Sequence, residues 1–269
     1  MTQLADFCKD LTLPTMPEVA HELIRSLNDE DAPVATVRNA FAKDPALTVK
    51  LLRLANSARY GVSRKVSSLD DAMTIVGMAQ VRILALSACL SNAFPMAPGL
   101  NREAFWHESQ ACAGYAQWLA GRTGSDGQQA WLTGFMVRLG ELMIVQNSPE
   151  SLSEIEREPR YPGARWERES HTLGFTEGQI TAEMARRWKF PAEIVNALES
   201  SGDPLATRPF SRLSGVLHLA ELLASMESET PEALAAIPQE LLVALHLERD
   251  RLLEQLPEAH DHVKASFLH

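Results

Sequence analysis

Three groups of side chains in this chain have the types and spacing to do chemistry. Between Lys43 and Lys65 stand six cations, Lys43, Lys50, Arg53, Arg59, Arg64 and Lys65, against the single anion Asp44. That segment carries +5, so the remaining residues carry -15 of the overall -10. Lys43, Lys50 and Arg53 recur at near-heptad spacing and so share a face, and Arg59, Arg64 and Lys65 flank the loop that follows. Such a cluster suits an acidic partner or phosphates, including a nucleotide, and it equally suits a solvated helix face. The second group is His107 with Cys112 five residues on, a spacing that does not share one helix face, so a nucleophile–base pair is not expected. The third is His260 and His262 near the C-terminus, a weak metal clip beside the plainer expectation of solvated tail residues.

Within the basic segment, LTVKLLRLANSARYG (47–61) is apolar until Asn56 and Ser57. Helical periodicity places Leu47, Leu51, Leu54 and Ala58 on one stripe, and Val49, Leu52, Asn56 and Tyr60 on a second. Asn56 is therefore expected to face the core. A buried unpaired amide costs about 1–3 kcal/mol, so it should bond the backbone where GVSRKVSS folds back, as a loop clamp. Direct contact with a ligand is the alternative.

The elements that must position these groups read as helices throughout. Proline stands at first helical positions in TMPE, DAPV, KDPA, KFPAE and ETPEA, Asp44 and Thr230 precede such prolines as caps, and Ser68 with Asp71 makes a capping-box-like start. No stretch alternates long enough for a strand. The spacing predicts helices over 17–28, 33–42, 45–60, 68–76, 79–93, 102–122, 127–147, 150–156, 166–174, 176–188, 191–200, 208–227, 231–246 and 248–256. FPMAPGL (94–100) marks a boundary between an N-terminal subdomain, 1–95, and a second, 96–269. The loop 156–166 should be exposed. Five tryptophans, Trp106, Trp118, Trp131, Trp166 and Trp188, read as core fillers, with Trp166 the first candidate for a partner anchor.

Composition limits the rest. At 269 residues and 45% hydrophobic the chain can bury a substantial core. It lacks an apolar run of the roughly 18 residues a membrane helix needs, and a cytoplasmic address is the default expectation. Cys8, Cys89 and Cys112 form neither a disulfide framework nor a zinc knuckle. The acidic balance argues against a general nucleic-acid binder. Phosphate-loop, dinucleotide, nucleophile-elbow and zinc-protease motifs are missing.

From Leu13 to Leu90 the chain closely resembles the N-terminal half of the HDOD family, through LPTMPEVA, KDPALTVKLLRLANSARYG and the S-S-L-D-D-A-x-x-x-x-G stretch. FWHESQACA, AWLTGFMVRLGELMIV, the TLGFTEGQ to ESSGDP run and LSGVLHLAELLA extend the resemblance more loosely to about Leu223. It implies an all-α multi-helix fold in which the N-terminal subdomain packs on an HD-like subdomain that has lost the metal chemistry of the HD phosphohydrolases. In those relatives a His, a His-Asp pair and further His or Asp hold divalent ions that activate water. Here His107 matches the first position, Val137 and Arg138 stand where the His-Asp pair would be, Glu177 replaces a later histidine, and Ser201 and Gly202 replace a closing pair. One apolar side chain and one cation cannot coordinate a metal. No metal or other cofactor is expected; why a cation stands at Arg138 is not given by the sequence, and a salt bridge to Glu141 three residues on is one structural option. His107 is then expected as a core or pocket histidine.

The resemblance implies a bacterial regulator, not an enzyme, that transmits a signal by binding. Its expected partners are signalling proteins, among them receiver or cyclic-dinucleotide turnover proteins, with a nucleotide as a further candidate ligand and no membrane. The match accounts for nearly all of the chain, so the input is expected from a separate molecule. Residues Lys50, Arg53, Asn56, Arg59, Arg64, Lys65 and His107 are the candidates for partner or ligand contact. Two rival functions remain open: residual metal-dependent nucleotide hydrolysis through His107 and Glu177, and nucleotide or nucleic-acid binding through 43–65.

Overall fold

In the computed structural model, residues 3–9, 11–27, 34–43, 45–57, 60–95, 100–157, 161–226 and 237–266 are described. All regular structure among them is helical. The chain divides into two compact units, one of residues 14–95 with 188–191, the other of residues 1–13, 96–187 and 192–267.

The unit centred on residues 14–95 contains α2 (Glu18–Ser26), α3 (Val34–Lys43), α4 (Pro45–Ala55), α5 (Leu69–Val76) and α6 (Met78–Ala93). Helix α4 begins on its proline, as the missing N–H allows, and buries Leu47, Leu51 and Ala55. Ser68 caps α5 by accepting from the Asp71 N–H at 3.1 Å. Gly77, at φ 86°, separates α5 from α6, which leave it at 110° to each other. No single helix among the described residues is long and apolar enough to cross a membrane.

The other unit contains α1 (Gln3–Lys9), α7 (Arg102–Thr123), α8 (Gly127–Met136), α9 (Leu139–Asn147), α10 (Leu152–Ile155), α11 (Ala164–Leu173), α12 (Glu177–Arg187), α13 (Ala192–Glu199), α14 (Arg212–Ala224), α15 (Gln239–Ala244), α16 (Arg249–Glu254) and α17 (Leu256–Ser266). Its axis is α7, bounded by the Asn101 side chain at one end and by Gly124, at φ 69°, at the other. Helices α8 and α14 pack on α7. Trp106, Phe135 and Trp131 stack in series, with centroids 5.4 and 5.3 Å apart, and all three are buried. The five tryptophans are all core residues. Helix α1 joins this unit through the Phe7–Phe175 ring contact at 5.0 Å and the Arg187 guanidinium, which donates to the Cys8 carbonyl at 2.7 Å.

Several expected elements end differently. The helix expected over 127–147 breaks at Val137 and Arg138, a two-residue turn in which Arg138, at φ -80° and ψ -2°, leaves the helical backbone. The break frees the Val137 carbonyl and the Gly140 N–H. Thr181 on α12 satisfies both, donating to Val137 O at 2.8 Å and accepting from Gly140 N at 2.8 Å. Gly140 is required there, since a Cβ would collide with the Glu177 carbonyl oxygen. The C-terminal residues expected as a solvated tail form α17, with Ala259 and Val263 buried. Within it His262 meets the Gln117 side chain at 3.1 Å, and His260 lies edge-on to Tyr115. The helix 231–246 is described only over α15, and the caps Asp44 and Thr230 lie outside the described residues.

Candidate functional site: an ion-paired centre

The break between α8 and α9 turns Arg138 toward α7 and α9. Its Nε and Nη2 donate to Glu141 Oε2 at 3.2 and 2.8 Å, and Nη1 pairs with Glu108. The Arg138–Glu141 pair, one option from the sequence, is therefore present. A second guanidinium arrives from α11. Arg165 Nε donates to Glu169 Oε1 at 2.9 Å and to Glu177 Oε2 at 3.1 Å, while its Nη1 pairs with Glu156 and lies 3.4 Å from Glu141 Oε1. Glu141 thus bridges the two arginines.

These carboxylates come from several elements and most are deeply buried: Glu169 and Glu177 have no exposed surface, Glu141 has 3% and Glu221 8%. Glu169 also anchors the start of α12, accepting from the Glu177 N–H at 2.7 Å, where the helix terminus favours an anion. Burial works to lower the pKa of both arginines, but the surrounding carboxylates, Glu141 and Glu177 first, hold them above the usual value. Glu169 is pushed up to about 8 by burial and by the charge of Glu177, against the pull of Arg165. Burial and Glu177 likewise hold Glu221 well above the carboxylate range. Glu177 Oε1 and Glu221 Oε2 are buried oxygens without a donor among the described residues. A proton on Glu221, the group that burial and Glu177 raise, would give the pair a donor. Cys112 is raised by burial and by Glu221 and Glu177, so its thiol stays protonated and is no nucleophile.

A divalent ion does not fit this arrangement. Two guanidiniums occupy the positions from which the carboxylates could have turned to a metal, and Arg138 and Arg165 would have to be displaced first. Among the described residues no group of three or more His, Cys, Asp or Glu is arranged to hold a metal.

His107 does not enter this centre. It is exposed on α7, and Glu108, one residue and about 100° further round the helix, reaches Arg138 instead. His107 is thus not a core histidine. Ser201 is fully buried, and its carbonyl lies 2.6 Å from His218 Nδ1. Trp166, proposed from sequence as a surface anchor, is buried and lies against His218 with centroids 4.4 Å apart.

In the other unit, Asn56 is a loop clamp. Its Nδ2 donates to Leu52 O at 2.7 Å and Val66 O at 2.8 Å, and its Oδ1 accepts from Val66 N at 2.8 Å. It does so as an exposed residue and not from the core: its N–H still bonds Leu52 O at 3.1 Å, but the stripe it continues is the outer one, with Val49 47% exposed. The clamp fixes the loop just after Arg64 and Lys65, which are exposed, as are Lys50 and Arg53 on α4. Arg59 lies outside the described residues.

Residues 13–204 match the model of the HDOD domain. The chain belongs to the HDOD family. An uncharacterised protein of Treponema pallidum (strain Nichols) is 24% identical over 93% of this chain, and the chain spans about half that relative's length, 49%. A crystal structure from Shewanella amazonensis SB2B, of a protein named provisionally as a phosphohydrolase, is 27% identical with a TM-score of 0.78, covering 98% of this chain and 96% of its own. An HDOD domain protein of unknown function from Geobacter sulfurreducens superposes with a TM-score of 0.78 at 20% identity, covering 99% and 98% of the two chains. The HDOD assignment and the all-helical HD-like fold expected from the sequence are therefore both present. Family membership is consistent with a regulatory role.

Proposed function

We propose that this HDOD chain is a non-enzymatic bacterial signal-transduction module that works by binding protein partners or a small ligand. The observation that supports it is the pair Arg138 and Arg165, whose guanidiniums fill the HD-like centre and consume its carboxylates. Activating water against a phosphoester needs a Lewis acid or a poised base with access to substrate. Here Glu141 and Glu177 are tied to guanidiniums and buried, so neither is placed for such a step. The exposed cations Lys50, Arg53, Arg64 and Lys65, with Arg59 nearby in sequence, form the surface offered to an acidic signalling protein, and the Asn56 clamp holds part of it in place.

The name of the Shewanella protein favours a second reading, metal-dependent phosphoester hydrolysis. The two are separated by assaying the purified chain with Mg²⁺ or Mn²⁺ on bis-p-nitrophenyl phosphate and on a cyclic dinucleotide. The signalling reading expects no turnover above buffer. Turnover that is abolished by Glu177→Gln would replace it with the hydrolase reading. Affinity capture from native lysate then compares the wild type with the Arg64→Glu, Lys65→Glu variant, and a specific partner lost from the variant is expected.

A further inference from the structure

The helices that build the ion network present neighbouring residues to a cavity of about 1300 Å³ within the same unit. Trp166 and Ser170 follow Arg165 and Glu169 on α11, Thr176 precedes Glu177, and His218 lies one turn before Glu221 on α14. His218 is 8% exposed. Its Nδ1 stands 2.6 Å from the Ser201 carbonyl, which can only accept, so Nδ1 carries the proton. Nε2 has no partner among the described residues and lines the cavity as a lone-pair acceptor. The tilted Trp166 ring at 4.4 Å fixes the imidazole plane. Burial lowers the His218 pKa, ahead of the opposing effects of the Ser201 bond and Asp203, so the ring remains neutral at neutral pH.

The wall around this acceptor is acidic. Glu167, Glu193, Glu199 and Asp203 face the cavity against the single cation Arg208. Glu199 is partly engaged by Arg186 at 3.1 Å and Glu167 by the Tyr161 hydroxyl at 2.5 Å. Glu193 has no ion-pair partner among the described residues, and Asp203 accepts only the Ala206 N–H, at 3.2 Å. Aromatic surface from Trp166, Phe175 and Phe210 completes the lining. An aromatic face, free carboxylates and an acceptor nitrogen select a cation that carries N–H donors, and they repel phosphates.

We propose that this cavity binds a small organic cation, an alkylammonium or guanidinium compound, with its charge among Glu193 and Asp203 and an N–H directed at His218 Nε2. This goes beyond the signalling reading and does not depend on it, because binding is read here and hydrolysis is not.

The test is isothermal titration of the full chain with agmatine, which carries both an ammonium and a guanidinium, beside ADP and a tetra-arginine peptide. Saturable 1:1 binding of agmatine is expected, with none of ADP. The Glu193→Gln, Asp203→Asn variant should weaken it about tenfold; both sites are exposed, and the amide that replaces the Asp203 carboxylate keeps an acceptor oxygen for the Ala206 N–H. Arg208→Ala should strengthen it. The proposal is overturned if agmatine does not bind, if the double variant binds it unchanged, if ADP binds in its place, or if only the peptide binds, which would make the cavity a protein-docking site.

Discussion

Arg138 Nη2 lies 2.8 Å from Glu141 Oε2, and Glu141 turns its other oxygen to Arg165 at 3.4 Å. One buried carboxylate therefore holds two guanidiniums in the heart of an HD-like unit. That bridge is a structural joint between α9 and α11, and its energetics can be measured.

Removing one partner of a buried pair strands the other. Arg138→Ala is expected to destabilise the chain by about 3 kcal/mol in urea unfolding, because Glu141 is left buried with less compensation. Adding Glu141→Gln should recover more than half of that loss, since the stranded charge is gone. Equal destabilisation of single and double variants would mean that Arg138 acts through packing alone.

Glu169 at about 8 and the raised Glu221 give the molecule a specific pH dependence. Both titrate higher folded than the ordinary 4.5, so between that value and about 8 the folded state holds more protons than the unfolded one. For Glu169 that stabilisation is full below pH 4.5 and is lost as pH rises through about 8, and the raised Glu221 acts in the same direction. The melting temperature should fall by several degrees between about pH 6 and about pH 9. Glu221→Gln, which can still donate to Glu177, should flatten that fall. An unchanged slope in the variant would show that Glu221 is not the protonated member.

Gly140 tests the joint between α9 and α12. A methyl group there meets backbone, not a side chain that can move, so Gly140→Ala should cost about 2 kcal/mol or more. Thr181→Val, which removes the donor to Val137 O and the acceptor for Gly140 N, should cost about 1–3 kcal/mol. Values near zero for both would show that α9 shifts freely.

In the other unit, Asn56→Ala leaves the N–H and carbonyl of the buried Val66 without the Asn56 amide, at a cost of about 1–3 kcal/mol. Hydrogen exchange at Val66 should accelerate, while Asn56→Asp, which keeps only the acceptor, should fall between. Slow exchange at Val66 in the alanine variant would show that the loop is held elsewhere.

Much of this was legible because the signals were local. Ser68 capped its helix as its spacing implied, Pro45 opened α4, and a polar side chain at the end of an apolar helix marked a loop clamp. Arg138 and Glu141, three apart in sequence, announced their pairing. The rest depended on angles and distant helices. A one-residue choice on α7 decided between His107 and Glu108, and sequence periodicity does not discriminate so finely. The continuous apolar run through GFMVRLGELMIV hid the break at 137–138, although Gly140 close to an arginine was a hint. Arg165, Glu169 and Glu221 were missed because they converge only in three dimensions. Two signals could have found them: the i,i+4 spacing of Arg165 and Glu169, and His218 with Glu221 inside the otherwise apolar LSGVLHLAELLA.

Metal stoichiometry tests the central claim most directly. The chain, purified without chelators and dialysed against Mn²⁺ and then against metal-free buffer, is analysed by inductively coupled plasma mass spectrometry. A centre closed by Arg138 and Arg165 predicts well under one ion per chain, unchanged by Glu177→Gln. One or two tightly held ions per chain, released by that substitution, would contradict it.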